Sequence, residues 1–494
     1  MANKLFTSIF FKGINRILCI HGLLAFVMMS IFLIVPVSAQ TTAERPNIIF
    51  ILSDDHSAPF LGTYGNRDLK TPNIDKLAKE GIQFNRAYTT APQCVLSRAS
   101  MMTGRSVIDI RMSRFSAPLS AGIVTYPELL RKSGYYTGIA GRTFHLDGGA
   151  TPPETEEVFK KHNLRTFKNR VDFLKSGSDD NALVQFKEFV SQVPQGKPFF
   201  IQVGYSDPHR VFDAKDFEPD PDKLTIPPGM PDTKALREDL TGYLGEIQRL
   251  DKNIGLLLDE IEKSGLSKNT LIVFMGDNGG ALLRGKGTLY DLGIHVPLIA
   301  RWPGKIKSGS KSESLISGED LAPTFLEIAG VEIPKEITGK SFRATFNDNT
   351  AAPREYVYAV RGAHGSGLPT NTGAFDLGRT VFNKNYKLVY NALWQLPYFP
   401  VDFAGQPFWK ELSEQHKSRK LDPQYSKLFF EEHRPMFEIF DLKNDPNEFN
   451  NLAGKPEFAA VEKDLKARLQ EWMIVNEDYL PLPIPPSGGP RKSK

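Results

Sequence analysis

Pro46-Asn47-Ile48-Ile49-Phe50-Ile51-Leu52-Ser53-Asp54-Asp55 is an unbroken apolar run that stops on a serine and two aspartates. A strand that is apolar on both faces belongs inside a sheet covered on both sides, the habit of parallel and mixed sheets. Outward from it the pattern repeats. Residues 198–204 and 270–275 are two further continuous runs, 296–300 a fourth, and 135–140 lean apolar in the same way. Helical periodicity fills the spaces, over 73–80 behind Thr71-Pro72 and over 233–264. Strands alternating with helices predict an α/β layer sandwich. Beyond Phe346 the segments 356–360, 379–382, 387–390 and 437–441 are short, as antiparallel strands are, and 457–474 reads as a closing helix. This predicts a smaller α+β subdomain.

The 494-residue chain carries a net charge of +4, of which Lys4, Lys12 and Arg16 near the N-terminus supply three. The rest is nearly balanced, which argues against nucleic acid as the partner. Positive charge, the apolar stretch 17–37 and the small residues Val37-Ser38-Ala39 read as a signal peptide over 1–39. An uncleaved anchor is the alternative, because the apolar run is long for a signal. Export implies a periplasmic or secreted protein with no stable membrane partner. Residues 40–346 then form the main domain, 347–480 the C-terminal subdomain with its small antiparallel sheet, and 481–494 a flexible tail rich in proline, glycine and basic residues.

Of two cysteines, Cys19 lies in the leader and Cys94 stands alone in C-V-L-S-R-A-S-M-M-T-G-R. A lone thiol in an exported chain is a buried packing residue, an accident, or a chemically special group. Arg98, four residues on, falls on the same face of a helical turn. That suits an anion held beside a nucleophile.

Asp54 and Asp55 follow the first strand; Asp277 and Asn278 follow the third, in M-G-D-N-G-G. Ligands gather at the carboxyl ends of strands in open α/β sheets. Three carboxylates and an amide oxygen suit Ca²⁺, or less well Mg²⁺, rather than zinc. Either pair alone reads as a turn; together, with Cys94 and Arg98 between them, they read as a metal site. Arg142 and His145 lie in G-R-T-F-H-L-D-G, and Lys286 in R-G-K-G-T-L-Y. With Arg98 they supply cationic charge for an oxyanion. His209, in G-Y-S-D-P-H-R at the mouth of the second strand, is a candidate for acid/base work. His56, His295 and His364 have weaker cases, His364 as a pocket residue.

The segment from Cys94 to Arg105 resembles the signature of the type I sulfatases, with Leu96 where that family usually has proline. The resemblance spans almost the whole mature chain, including F-D-L-K-N-D-P-N-E-F-N-N-L-A near the C-terminus. D-P-H-R and Y-K-L-V-Y-N-A-L-W-Q-L-P are closest to the heparan N-sulfatase (sulfamidase) branch, whereas R-G-K-G-T-L-Y-D-L-G-I-H-V-P is nearer the general O-sulfatase pattern. It implies an alkaline-phosphatase-like fold, a mixed sheet sandwiched by helices. It also implies Cys94 oxidised to formylglycine (3-oxoalanine) by a maturation enzyme, and metal held by Asp54, Asp55, Asp277 and Asn278 alongside that group. Arg98, Arg142 and Lys286 would stabilise sulfate charge, His209 would protonate the leaving group, and His145 would assist expulsion of sulfate. Arg142 replaces the family's lysine, with two residues rather than one before the histidine. The implied activity is hydrolysis of sulfate groups on polysaccharides or oligosaccharides, algal ulvan or a glycosaminoglycan. Alternatives are N-sulfoglucosamine sulfohydrolase activity on heparan-like chains, and a phosphodiesterase or phosphonate hydrolase of the same superfamily. Two readings without turnover also stand: a sulfated-glycan binder in which Leu96 blocks Cys94 maturation, and a metal-binding structural protein.

Overall fold

Side chains of the first apolar run alternate between two cores. Ile48, Phe50 and Leu52 enter one, Ile49 and Ile51 the other, and all five are buried. The computed structural model describes residues 45–112, 114–115, 118–148, 153–364 and 375–481. The expected leader and the tail from 482 lie outside the described residues. No helix among the described residues is long and apolar enough to cross a membrane.

In chain order the strands are β1 (Asn47–Ser53), β2 (Ile82–Phe84), β3 (Ala87–Tyr88), β4 (Tyr136–Gly141), β5 (Phe173–Ser176), β6 (Phe199–Gly204) and β7 (Thr270–Gly276). They continue with β8 (Leu298–Arg301), β9 (Ser310–Ser312), β10 (Ile316–Ser317), β11 (Val357–Arg361), β12 (Gly378–Phe382), β13 (Tyr386–Asn391) and β14 (Phe437–Asp441). Eight of them form one sheet in the order β5-β4-β6-β1-β7-β8-β2-β9. β1 is central and parallel to both neighbours, β6 and β7. β8 runs antiparallel between β7 and β2, which makes the sheet mixed. The run expected over 296–300 forms its strand later, at Leu298–Arg301, because Pro297 has no N–H to give a ladder.

Helices cover both faces. Lys234–Lys263 is the long helix the periodicity predicts; Thr233 caps it, accepting from the Leu236 N–H at 3.3 Å. Its Leu240, Leu244, Ile247, Leu250, Ile254, Leu257 and Ile261 recur at helical spacing and pack on the Ile49/Ile51 side. The Cys94–Thr103 helix has every residue buried and ends on Gly104, whose φ of +66° is left-handed. A Cβ there would also lie 2.7 Å from Ala322 Cβ, so glycine is required twice over. β11 to β14 form the C-terminal antiparallel sheet in sequential order. Leu465, Leu469 and Met473 of the Ala459–Val475 helix pack on its Val381, Leu388 and Ile439.

Candidate active site

Pairing β1 with β7 in register sets Ser53 opposite Gly276, so the residues that follow emerge together. The Asp277 N–H donates to Ser53 O at 3.0 Å and the Asp55 N–H to Asp277 Oδ1 at 3.0 Å. Asp55 has a left-handed φ of +60°. That break from strand geometry lets two consecutive aspartates serve one place, which an extended chain forbids. Asn278 Nδ2 donates to Asp55 Oδ1 at 2.8 Å. Asp54, Asp55, Asp277 and Asn278 are all buried.

The Cys94–Thr103 helix points its first residue into this cluster. Cys94 Sγ donates to Asp54 Oδ1 at 3.3 Å and lies 3.7 Å from Asp55 Oδ1. Burial and the Asp54 charge push the thiol well above its usual range, so the unmodified cysteine stays protonated. One turn on, Arg98 donates through Nε to Asp277 Oδ2 at 2.7 Å and through Nη2 to Asp54 Oδ2 at 3.0 Å. Burial works against the Arg98 charge, but Asp277 and Asp54 outweigh it and its pKa is raised. Ser97 Oγ fastens the same turn to Asp277 O at 2.6 Å.

Loops from β4 and β6, neighbours in the sheet, bring the next groups. Arg142 pairs with Asp54 Oδ2 and donates to Ser206 Oγ at 3.2 Å, tying the two loops together. His145 Nδ1 lies 3.7 Å from Asp54 Oδ2. Burial, with Arg142 and Arg98 nearby, depresses its pKa despite Asp54, so the ring is neutral. His209 Nε2 lies 3.8 Å from Asp55 Oδ2, with the side chain 22% exposed. Its Nδ1 bonds the Arg210 carbonyl, an acceptor only, so Nδ1 carries hydrogen and Nε2 faces the site. Lys286 Nζ lies 2.9 Å from the Asp55 carboxylate and 2.7 Å from Asp402 Oδ2.

All the residues expected from sequence therefore meet at one end of the sheet. Burial would raise the Asp54 pKa, but Arg142 and Arg98 hold it well below the usual range. Burial and Asp54 push Asp277 up to about 6 against the pull of Arg98. The weaker histidines divide. His56 bonds Ser53 and Phe60 O inside the core, and His295 bonds Asn85 O and stacks on Tyr88. His364 Nε2 reaches Asp402 Oδ1 at 3.4 Å. Asp402 itself was not expected, and a single acid in Val401-Asp402-Phe403 carries no sequence signal. Nor did the sequence mark the anchors of the His209 loop: Asp179, which accepts from the Ser206 and Asp207 N–H groups, and Arg249, bidentate to Asp207. A cavity of about 800 Å³ beside the Lys286 loop is lined by Arg284, Gly287, Arg361, Tyr398 and Arg434, but by none of the clustered acids.

Carboxylate oxygens of Asp54, Asp55 and Asp277 and Cys94 Sγ lie within 4.8 Å of one another. Asn278 Oδ1 is buried without a hydrogen-bond partner among the described residues. Converging hard oxygens with one amide acceptor left over fit a divalent cation.

A mixed sheet with an acid cluster, a nucleophile position and converging cations at its carboxyl edge defines a hydrolase of anionic esters. The chain belongs to the sulfatase family, whose profile matches residues 46–331, and is a sulfuric ester hydrolase. Residues 283–390 match the C-terminal region of N-sulphoglucosamine sulphohydrolase. An ulvan-active sulfatase from Formosa agariphila is 29% identical over 473 residues, covering 89% of this chain and 76% of that protein. Human N-sulphoglucosamine sulphohydrolase is 27% identical over 477 residues, covering 88% and 91%. These likenesses fit the sulfamidase-like branch. Among solved structures, one in complex with its substrate D-glucosamine-2-N,6-O-disulfate has a TM-score of 0.64 at 22% identity, covering 88% of this chain and 99% of that one. A phosphonate monoester hydrolase from Silicibacter pomeroyi has 0.67 at 20% identity, covering 88% and 96%, so the fold alone spans both ester classes.

Proposed function

We propose that this protein removes sulfate groups from sulfated polysaccharides or oligosaccharides, ulvan or a glycosaminoglycan, after export to the periplasm or beyond. The observation that carries this reading is the convergence of Cys94, Arg98, three aspartates and Asn278 with Arg142, His145, His209 and Lys286 at one sheet edge. Asp54, Asp55, Asp277 and Asn278 would hold Ca²⁺ beside residue 94, and the pattern of residues 1–39 supports export. Residues 40–346 are taken as the catalytic domain and 347–480 as the C-terminal subdomain, since β11 begins at Val357.

When present, the cation supplies Lewis acidity toward sulfate oxygens, and formylglycine made from Cys94 supplies a hydrated aldehyde as nucleophile. Arg98 holds Asp54 and Asp277 in fixed orientation and adds a permanent positive charge beneath the nucleophile. Arg142 and Lys286 flank the cluster, where the equatorial oxygens of a sulfate would sit. His145 is neutral and one of its ring nitrogens lies within 4.8 Å of Cys94 Sγ, so it can take a proton from the nucleophile's side. His209, when doubly protonated, presents Nε2–H to the opening and can pass that proton to a departing sugar oxygen or nitrogen.

The test is sulfate release from defined ulvan and heparin oligosaccharides, beside phosphate mono- and diesters. Sulfate release from a glycan supports the reading. Preference for phosphate or phosphonate esters favours the phosphodiesterase alternative, and release only from N-sulfated glucosamine narrows it to the sulfamidase reaction. The N-sulfo alternative draws support from the C-terminal match over 283–390.

A further inference from the structure

We propose that Asp402 recognises the sugar: its carboxylate accepts a hydrogen bond from a ring hydroxyl next to the sulfated position. The proposal rests on the sulfated-carbohydrate reading above. An extra carboxylate at the edge of a sulfate pocket repels the sulfate, so its presence calls for another duty. Three observations define that duty. Asp402 holds a left-handed φ of +65°, a sparsely populated conformation for a residue with a Cβ that the surrounding structure must maintain. Its Oδ2 meets Lys286 Nζ at 2.7 Å and its Oδ1 meets His364 Nε2 at 3.4 Å, which fixes the orientation of the carboxylate. Each oxygen offers two acceptor positions, so these contacts leave capacity for another donor.

Placement supplies the rest. One carboxylate oxygen of Asp402 lies within 4.8 Å of both an oxygen of Asp55 and a ring nitrogen of His209. His209 is the group assigned to the leaving oxygen, so Asp402 stands on the leaving-group side. The Asp402 side chain is 31% exposed, open to an incoming ligand. A carboxylate clamped at a known angle reads hydroxyl groups well, because a hydroxyl missing from the ligand leaves that acceptor without its donor.

The competing role is positioning alone, with Asp402 serving only to hold Lys286. A substrate cycle separates the two. Sulfate release by the mature enzyme is measured on a sulfated sugar, on its deoxy analogue lacking the adjacent hydroxyl, and on an aryl sulfate that has none. For the wild type, the deoxy sugar should lose about 10- to 100-fold in kcat/KM. Asp402→Asn should lower kcat/KM for the hydroxylated sugar at least tenfold more than for the aryl sulfate, and should no longer distinguish the deoxy analogue. Equal losses on sugar and aryl sulfate, with the deoxy discrimination intact, would overturn the proposal in favour of positioning. The wild-type deoxy comparison needs no variant, so a misfolded Asp402→Asn protein leaves the test standing. A deoxy analogue turned over as well as its parent at each ring position beside the sulfate overturns the proposal. A wild type that cleaves aryl sulfate but no sulfated sugar removes the carbohydrate reading first, and Asp402's role with it.

Discussion

Asp277 accepts from Arg98 on one oxygen and from the N–H groups of Asp55 and Asn278 on the other. Removing it takes away a hard ligand and leaves the buried Arg98 short of a partner. On the proposed ligand assignment, Asp277→Ala should therefore lose the divalent cation, measured by elemental analysis, and lose sulfate release by about two to three orders of magnitude or more. Retention of both metal and turnover would show the ligand assignment to be wrong. At His209 the contrast lies between substrates. His209→Ala should slow release from sugar sulfates by about two to four orders of magnitude, and far less from an aryl sulfate whose phenolate leaves unaided. Equal losses would make His209 a binding residue only. Asp207 and Arg210 are poor substitutes as acids, because Arg249 and Asp239 already hold them. The expected site residues were legible because each sits inside a short motif at a strand end or a helix start. Asp402 and Arg249 were not, since their roles exist only after distant segments meet.

At the scale of elements, continuous apolar runs disclosed β1, β6 and β7, whose two faces are both covered. β2, β5 and β9 are three or four residues long, too short for any period to register. The Cys94–Thr103 helix is buried on every side, so it shows no polar face to read; its glycine stop and its cysteine were the only marks. Leu96, where the family's proline usually stands, packs in the core beside Val95 and Ala99. The His209 loop depends on an element far away in sequence, the Lys234–Lys263 helix. Arg249 of that helix is bidentate to Asp207 and also bonds Asp213 and Glu246, at 2.6 and 2.5 Å. Arg249→Met would strand Asp207 as a buried acid and leave Glu246 with only the Asp213 and Ala214 N–H groups on its other oxygen. The expected outcome is a loss of about 3–5 kcal/mol in urea unfolding together with a fall in kcat. A stable variant with unchanged kcat would mean the loop holds its shape without the helix.

Across the whole molecule the clustered residues run from Asp54 to Lys286, and Asp402, between β13 and β14, reaches Lys286 from the C-terminal part of the chain. Arg379 and Asp478, joined by bonds of 2.5 and 2.7 Å, are fully buried and tie the C-terminal sheet to the segment after the last helix. Asp478→Ala leaves a guanidinium buried without its counter-charge and should cost about 3–5 kcal/mol, readable as a lower denaturant midpoint. A midpoint equal to wild type would show that the pair contributes nothing. Cys94 has no exposed surface. It opens a helix in which every residue is buried, so in the folded chain no oxidising enzyme could reach the thiol. If Cys94 is oxidised as proposed, that oxidation would have to come before folding, while the chain around it is still open. On that reading, chains that fold first would keep a covered thiol, and the active fraction of a preparation would be set by a race between oxidation and folding.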